Sequence, residues 1–403
     1  MWHFKRLSGT SVVMACVASV TACGGGGGYN APAPVASSSS SGSVTSSSLS
    51  SSSSSSSTSS ASSSSNSVVA LKSLVATWGF PIGVAVGGPQ DGDNLFSTAQ
   101  RQTVVSSQFN SVVAGNIMKM SYLEPTQDTF TFANADALVT YVQSNAGMVL
   151  HGHTLIWHAD YQVPTFMKNF AGTPSEFDAV LMNHVTKVAT HFAGKVVSWD
   201  VVNEAIDESQ SNGWRRSVFY TSSGNSSVFI EHAFTAARLA DPGAKLFYND
   251  YNTEWSTAKL NFLLAMVDDF KNRNIPIDGI GFQMHVRIDF PSIAAIKAAL
   301  QAVVAKGLLV RISELDVAVN AGNTLTSLDL TTSVTQKQRY HDIVKAYLDT
   351  VPLAQRGGIT VWGLVDGQSW INQPGHPDWP LLFNDNYSTK PAFDGIAEAL
   401  QGL

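Results

Sequence analysis

Over residues 68–403 the sequence alternates between short apolar runs and longer amphipathic ones, and this alternation restricts the possible folds more than any other feature. Eight runs rich in Val, Ile and Leu have the length of buried strands, at 82–86, 112–119, 148–157, 196–203, 244–249, 279–283, 308–314 and 359–364. Helical periodicity separates them, at 94–108, 134–144, 174–192, 227–240, 256–274, 293–306 and 335–348, and a last helix is predicted at 392–400. Eight strand–helix units predict an α/β chain folded as a (β/α)8 TIM barrel.

A doubly wound open sheet is the alternative fold for the same alternation. Sheets of that kind that bind dinucleotides carry a glycine-rich phosphate fingerprint after the first strand. The segment after the run at 82–86 reads GGPQDGDN and lacks that fingerprint. The barrel is therefore the favoured prediction.

A barrel places functional side chains at the C-terminal ends of its strands, and polar residues collect at these positions in the sequence. Two of the ends carry a glutamate: Glu204 lies in the motif SWDVVNEA, and Glu314 lies in LLVRISELDV. Burial at a strand end is expected to raise the pKa of the Glu204 carboxyl, which suits a proton donor near neutral pH. A pair of such glutamates is typical of enzymes that hydrolyse glycosidic bonds. The polar residues at the strand ends are Asn116, Lys119, His151, His153, His158, Asn203, Glu204, Asn249, Asp250, Tyr251, Asn252, Gln283, His285, Glu314, Asp316, Trp362, Asp366 and Trp370.

The N-terminal segment has the pattern of an export signal. Lys5 and Arg6 precede an apolar run at 12–20, which is too short to span a bilayer. The run ends in VTAC, and small residues before a cysteine resemble a bacterial lipoprotein signal, so we expect residues 1–22 to be removed and Cys23 to carry lipid. An ordinary secretory signal cleaved near Ala22 is the alternative.

Residues 23–67 are dominated by glycine and serine, so we expect a flexible linker that joins the lipid to the folded domain at 68–403. Both cysteines precede residue 24, so that domain has no disulfide and depends on its core. The formal charge of −6 becomes more negative when the leader is removed, which argues against nucleic acid and against a polybasic membrane patch. We expect an exported protein held on the bacterial (outer) membrane only through its lipid, facing the cell surface or the periplasm.

Six sequence motifs resemble those of glycoside hydrolase family 10, the endo-β-1,4-xylanases, and follow one another in the family's order over essentially all of 68–403. The resemblance implies retaining hydrolysis of internal β-1,4-xylosidic bonds in xylan and xylo-oligosaccharides by a monomer that needs no metal and no cofactor. The motifs are HGHTLIWH at 151–158, WDVVNEA at 199–205, NDYN at 249–252, GIGFQMHV at 279–286, ISELDV at 312–317 and TVWGLVDGQSW at 360–370.

The same resemblance assigns the catalytic roles. Glu314 is expected to be the nucleophile that forms a glycosyl-enzyme ester, and Glu204 the general acid/base. His285 is expected to donate to Glu314 and keep it ionised, while Asp316 orients the imidazole. Asn203 is expected to hydrogen-bond the sugar 2-hydroxyl; capping of the strand-end backbone is the alternative for it.

Sugars present apolar faces and a rim of hydroxyls, so aromatic side chains and hydrogen-bond donors are expected to bind the chain. Core packing is the alternative for any single tryptophan. On the glycone side we expect Asn116, Lys119, His153, Trp362 and Trp370. Gln283 is expected beside the glutamates. Tyr251 and Asn252 are expected on the aglycone side, and Trp157 is expected to provide a further aromatic surface.

One position departs from the family pattern. The family has Pro-Glu-Asn where this chain has Ala-Gly-Asn, so Gly115 replaces a glutamate that hydrogen-bonds the second glycone sugar. A hydrogen bond to a charged group is worth about 1.5–3 kcal/mol, so we expect a weak second glycone subsite and poor turnover of short oligosaccharides. Met120, Met284 and Ile371 also replace family residues, and we expect them to make the glycone end less polar and more tolerant of decorated xylan.

Metal-dependent hydrolysis is one alternative function. His151 and His153 form an i, i+2 pair, with His158 and His285 later in the chain. In metal-dependent barrel hydrolases such a pair lies on the first strand, followed by a lysine and two histidines on later strands, whereas here it is on the third strand and the other ligands are missing.

Two further alternatives keep a carbohydrate ligand. A non-catalytic surface lectin would suit the tether, but a lectin has no use for an intact pair of catalytic glutamates. A β-1,4-glucanase would share the mechanism, and the bulk of Trp362, Trp370 and Gln162 would then decide whether the additional hydroxymethyl group fits.

Overall fold

The computed structural model of the chain describes residues 69–403. The nine strands in this range pair only in parallel. Eight of them pair in chain order, and the first and last barrel strands also pair with each other, so the sheet closes and the predicted (β/α)8 TIM barrel is confirmed. The strands are β1 Ile82–Val86, β2 Ser111–Ala114, β3 Val149–Trp157, β4 Ser198–Asn203, β5 Lys245–Asp250, β6 Gly279–Phe282, β7 His285–Arg287, β8 Leu309–Ala318 and β9 Arg356–Val361, of which β7 stands outside the barrel.

Helices connect the strands and cover the outside of the barrel. Three of these helices are short, and they lie in the segments after β2, β3 and β4, on the side of the barrel where polar residues collect. The helices are α1 Leu71–Leu74, α2 Ala99–Gln108, α3 Met120–Leu123, α4 Ala133–Ser144, α5 Thr165–Lys168, α6 Pro174–His191, α7 Val218–Ser222, α8 Val228–Ala240, α9 Thr257–Arg273, α10 Ile293–Val304, α11 Leu330–Thr350 and α12 Pro391–Gln401. None of the helices within residues 69–403 is both long and apolar enough to span a bilayer.

The strands read as continuous apolar runs because both of their faces are covered. Every residue of β1, β2 and β6 is buried, as expected for parallel strands between a packed barrel interior and an outer layer of helices. Helix α6 begins where the sequence provides a capping box: the hydroxyl of Thr173 accepts from the backbone N–H of Glu176, and the Glu176 carboxylate accepts from the backbone N–H of Thr173.

Several elements begin or end at different residues from those predicted, and for three of them the local cause is evident. The strand predicted at 112–119 ends at Ala114, because the chain turns at Gly115 and enters α3. The strand predicted at 308–314 continues to Ala318, where β7 pairs with its extension. Helix α11 starts five residues earlier than its predicted start at 335, because the side chain of Asp329 caps it by accepting from the backbone N–H of Thr332.

The predicted signal at 1–22, the predicted linker at 23–67 and the lipid-bearing Cys23 lie outside the described residues. Within 69–403, all eight barrel strands run in the same direction, so their C-terminal ends form one rim. The residues predicted to act in catalysis and binding lie along this rim.

Candidate active site

Glu204 and Glu314 are joined through one glutamine. The Gln283 side chain donates from Nε2 to Oε1 of Glu204 at 2.9 Å, and its backbone carbonyl accepts from the backbone N–H of Glu314 at 3.0 Å. Gln283 and Glu314 are 3% and 5% exposed, so this link is shielded from water. The structure therefore brings together the two glutamates and the glutamine that the sequence placed at three different strand ends.

Each carboxylate oxygen of Glu314 accepts a hydrogen bond. Nδ2 of Asn249 donates to Oε1 at 2.7 Å, and Nε2 of His285 donates to Oε2 at 3.2 Å. Asn249 is itself held by the Ser313 hydroxyl, which donates to its Oδ1 at 2.5 Å. Its side chain occupies space that only a glycine at 281 leaves, because a Cβ on Gly281 would lie 2.2 Å from Oδ1 of Asn249. The Glu314 carboxylate is thus fixed on both sides.

His285 bridges two carboxylates. Its Nδ1 lies 2.9 Å from Oδ2 of Asp316, which also accepts from Nε1 of Trp370 at 2.9 Å. Burial alone would lower the pKa of His285, but the carboxylates of Asp316 and Glu314 outweigh burial and hold this pKa well above its ordinary value. The imidazole is therefore charged at neutral pH, donates from both nitrogens and places a positive charge beside Glu314.

The pKa of Glu204 does not follow the sequence-based expectation. Burial alone would raise it, but the hydrogen bond from Gln283 and the nearby Arg215 guanidinium contribute to a net lowering below its ordinary value. His158 has its Nδ1 3.9 Å from Oε2 of Glu204; burial and Arg215 lower the pKa of His158 to about 4, so it is neutral at pH 7. The expectation of a raised pKa is therefore wrong for the free protein, and we expect the pKa to rise only when a sugar chain removes the remaining water from Glu204.

Asn203 is part of the same network. Its Nδ2 donates to Oε1 of Glu204 at 3.1 Å, and its Oδ1 accepts from Asn249 at 2.9 Å and from Gln283 at 3.3 Å. An amide has two N–H donors, so one hydrogen on Nδ2 remains for a ligand. Asn203 is thus placed beside Glu204 with one N–H donor left over.

Lys119 lies over the Trp157 ring, and its charge interacts with those of Glu204 and Glu314. Its Nζ is 4.3 Å from the centre of the Trp157 ring. Burial lowers the pKa of Lys119 to about 8, although the charges of Glu314 and Glu204 act in the opposite direction. The ammonium is therefore mostly charged at neutral pH and is close enough to both glutamates to interact with them.

Asn116 is oriented by three neighbours. Its Nδ2 donates to Oδ1 of Asp91 at 2.9 Å, and its Oδ1 accepts from Lys119 at 3.2 Å and from Gln162 at 3.3 Å. Gln162, whose bulk was expected to decide which sugar fits, is 3% exposed, so it acts on Asn116 rather than presenting bulk in the cleft. Asn116 keeps one N–H donor for a sugar hydroxyl.

Two tryptophans flank His285. The ring centre of Trp370 lies 5.0 Å from that of His285, and the ring centre of Trp362 lies 6.4 Å away. Trp370 is 55% exposed, so its ring is open to a ligand. His153 packs edge-on to Trp362 with ring centres 5.3 Å apart. The aromatic residues predicted for the glycone side therefore lie together, next to His285.

Tyr251 and Asn252 follow the end of β5. The Tyr251 hydroxyl accepts from Nη2 of Arg215 at 2.8 Å, and Nε of the same guanidinium donates to the backbone carbonyl of Glu204 at 2.7 Å. Arg215 therefore ties Tyr251 to Glu204. Oδ1 of Asn252 instead accepts from Nε1 of Trp255 at 3.2 Å.

Four positions were expected to make the glycone end less polar than in the family, but two of them are buried. Met120 and Met284 are 1% and 0% exposed and pack in the core, so the expectation that they make the glycone end less polar is wrong. Gly115 and Ile371 are partly exposed. The sequence could not separate these cases, because burial of a methionine outside the strands depends on the packing of distant elements.

The histidine pair on β3 holds an aspartate. Nε2 of His151 and Nδ1 of His153 each lie 2.9 Å from Oδ2 of Asp200, and Nδ1 of His151 lies 2.6 Å from the Ser198 hydroxyl. Burial and the Arg311 guanidinium lower the pKa of His151 to about 4, so it is neutral at pH 7. Within residues 69–403 no three His, Cys, Asp or Glu side chains are grouped as metal ligands. The pair therefore anchors Asp200 inside the barrel.

Sequence reasoning missed three residues that hold the site. Asp200 lies in a strand motif between buried apolar neighbours, which was an available signal. Asp91 and Arg215 lie in irregular segments without periodicity, so nothing in the sequence indicated their partners. Asn249 was placed at a strand end, but its contact with Glu314 was not predicted.

Comparisons with known proteins show the family of the chain. The profile of Glycosyl hydrolase family 10 matches residues 70–399. Endo-beta-1,4-xylanase Xyn10C of Cellvibrio japonicus is 51% identical over 342 residues, which are 80% of this chain and 56% of that protein. Endo-1,4-beta-xylanase A of Cellvibrio japonicus (strain Ueda107) is 44% identical over 358 residues, 83% of this chain and 58% of that protein. The chain thus spans a little over half the length of these curated relatives.

Solved structures give the same result. Native xylanase10C from Cellvibrio japonicus aligns with a TM-score of 0.80 at 50% identity, over 83% of this chain and 73% of that one. A mutant of the same xylanase in complex with xylopentaose aligns with a TM-score of 0.80 over 70% of its chain.

Proposed function

This chain belongs to glycosyl hydrolase family 10, and from that membership and the geometry of the site we propose that it is an endo-β-1,4-xylanase. In this proposal it hydrolyses internal β-1,4-xylosidic bonds of xylan and retains the anomeric configuration. The observation that carries the proposal is the arrangement of Glu314 between Asn249 and His285, with Gln283 joining it to Glu204.

The fixed carboxylate supports the role of Glu314 as nucleophile. The charged His285 beside it favours the ionised form of the carboxylate, which is the form that attacks the anomeric carbon. Attack forms an ester between Glu314 and the glycone sugar and breaks the bond to the leaving oxygen. The hydrogen bonds from Asn249 and His285 hold both oxygens in place, so little reorganisation is needed when the bond forms.

Glu204 supplies the proton and later removes one. Bound sugar excludes water from its carboxyl and favours the protonated form, which donates to the leaving oxygen. After departure of the leaving sugar, the Glu204 carboxylate takes a proton from water, and that water hydrolyses the ester on Glu314. The free N–H of Asn203 is available to the sugar 2-hydroxyl during both steps.

The proposal is tested by the release of reducing ends from xylan and from carboxymethylcellulose by the full chain. We expect release from xylan and little from carboxymethylcellulose. Equal release from both would indicate a glucanase, and binding to insoluble xylan without any release would favour the lectin alternative.

Gly115→Glu is expected to raise kcat/KM on xylotriose by at least about ten-fold, because a restored hydrogen bond from a sugar hydroxyl to the charged carboxylate is worth about 1.5–3 kcal/mol. The site can accept a side chain, since a Cβ on Gly115 would lie 3.5 Å from the carbonyl oxygen of Val86, an ordinary contact. Gly115→Gln is the matched neutral control and should gain less. If Gly115→Glu gains nothing on xylotriose, the hypothesis of a weak second glycone subsite fails.

We further propose that the protein is exported and held on the bacterial (outer) membrane through lipid on Cys23. The support is the basic and apolar leader, the VTAC sequence and the Gly/Ser-rich segment that follows it. Xylan is the only partner this proposal requires, and the barrel acts as a monomer.

A further inference from the structure

A groove of about 520 Å³ lies on the outside of the barrel, between helices α2 and α4. Each helix turns one face toward it, with lining residues three or four positions apart. Its volume is in the range of cavities that hold small-molecule ligands. The lining consists of Phe96 before α2, Ala99, Gln102, Thr103 and Ser106 on α2, Ala137, Thr140, Tyr141 and Ser144 on α4, and Asn145 after α4. The groove shares none of these residues with the active site.

The lining of the groove is neutral. It contains no Lys, Arg, His, Asp or Glu, although the chain as a whole carries a formal charge of −6. The cation at its edge is Lys72, whose Nζ already donates to the backbone carbonyl of Ser106 at 2.5 Å. The groove is therefore suited to a ligand without charge.

The hydroxyls of the groove are available mainly as acceptors. Those of Thr103 and Thr140 each donate to the backbone carbonyl four residues earlier, both at 2.9 Å. The Tyr141 hydroxyl donates to the backbone carbonyl of Gln102 at 2.8 Å. Each hydroxyl oxygen keeps lone pairs for a ligand, and the Gln102 side chain adds an amide with both donors and an acceptor. A ligand with many O–H groups matches this arrangement.

Two aromatic rings complete the lining. Phe96 and Tyr141 are both partly exposed and pack edge to face, with ring centres 6.1 Å apart. A sugar ring has an apolar face that packs on an aromatic ring, and hydroxyls around its rim that need acceptors. Aromatic, hydroxyl and amide groups without any charge are thus the chemistry that binds a neutral carbohydrate.

We propose that this groove is a second carbohydrate-binding site, outside the active site, that holds the neutral main chain of xylan. The inference rests on the proposed xylanase function for the identity of the polymer. The segment after β1 that carries Phe96 also carries Asp91, which accepts from Asn116 at 2.9 Å on the expected glycone side of the active site. A polymer bound at both sites is held more tightly than at either one, without any new contact in the active site.

The test measures the affinity of the full chain for insoluble arabinoxylan, a neutral polymer, with Glu314→Gln introduced to prevent hydrolysis. Thr103→Arg and Thr140→Arg each place a long charged side chain in the groove, one from each wall, and the lost hydroxyl is bonded only within its own helix. We expect each substitution to weaken binding by about three-fold, and the two together by more, as for the loss of a weak second contact.

Thr335→Arg is the matched control. Thr335 is an exposed threonine on α11 whose hydroxyl also donates to the backbone carbonyl four residues earlier at 2.9 Å, and it does not line the groove. This substitution adds the same charge and should leave the affinity unchanged. With Glu314 intact, both groove variants should hydrolyse soluble xylohexaose with native kcat/KM, because the active site alone acts on it; this result also shows that they are folded.

The inference is overturned if the groove variants bind arabinoxylan as tightly as Thr335→Arg does, or if they lose as much kcat/KM on xylohexaose as they lose affinity for the polymer. Absence of xylohexaose hydrolysis by the native chain would instead refute the proposed xylanase function. The binding comparison would still decide whether the groove holds carbohydrate, so the two failures are distinguishable.

Discussion

Glu314→Gln is expected to lower kcat on xylan by on the order of 10⁵-fold, the largest loss that any single substitution in this chain should cause. The amide nearly matches the shape of the carboxylate and can still accept from Asn249, but it has no charge with which to attack the anomeric carbon. The substrate should still bind, because the sugar-binding residues are unchanged. The measurement is reducing-end release from xylan by purified variant and native chain, together with affinity for xylohexaose.

Glu398→Gln is the matched control for this loss. It makes the same chemical change in α12, where Glu398 pairs with Lys337, and it should leave kcat unchanged. Circular dichroism establishes that the Glu314→Gln chain is folded. A folded Glu314→Gln variant with more than a tenth of native activity would remove Glu314 from the role of nucleophile.

Glu204→Ala is expected to lower kcat/KM on xylan by about 10³-fold, because the sugar leaving group then departs without a proton. The loss should be much smaller for an aryl xylobioside with an acidic phenol, since that leaving group needs no protonation. Without the base, hydrolysis of the ester becomes slow, so the aryl substrate should give a burst followed by a slow phase. Azide should accelerate the slow phase, because it attacks the ester without needing a base.

The configuration of the azide product shows whether Glu204 acts as the acid/base or as the nucleophile. A β-configured xylobiosyl azide is expected, because two successive displacements retain the configuration. His158→Ala is the informative comparison, since His158 lies next to Glu204 and is neutral at pH 7. If azide rescued His158→Ala and not Glu204→Ala, the acid/base would be the histidine.

Most of the fold could be predicted because strand and helix periods alternate without interruption. Glu204 and Glu314 could be placed at the same rim from sequence alone, since parallel strands bring their C-terminal ends together. The hydrogen bond from Gln283 to Glu204 was foreseen only as a possibility, because which of two carboxylates an amide reaches depends on side-chain direction.

The electrostatics of the site could not be predicted from the sequence. The pKa of Glu204 depends on the hydrogen bond from Gln283 and on the charge of Arg215, which come from two different segments, and such contributions reverse the effect of burial. Asp91 orients Asn116 from a loop 25 residues earlier, and such loops show no periodicity. Side chains that depend on long-range contacts of irregular segments are thus the part of the site that requires a structure.

The most direct test of the central claim, that Glu314 forms a covalent bond to the sugar, is mass spectrometry of the full chain after reaction with a fluoro-sugar inactivator. A xylobioside with fluorine in place of the 2-hydroxyl and a good leaving group forms the ester but hydrolyses it slowly. We expect one xylobiosyl adduct, located by proteolysis on Glu314 and absent from Glu314→Gln. An adduct on another residue, or turnover without any adduct and with an inverted product, would contradict the account.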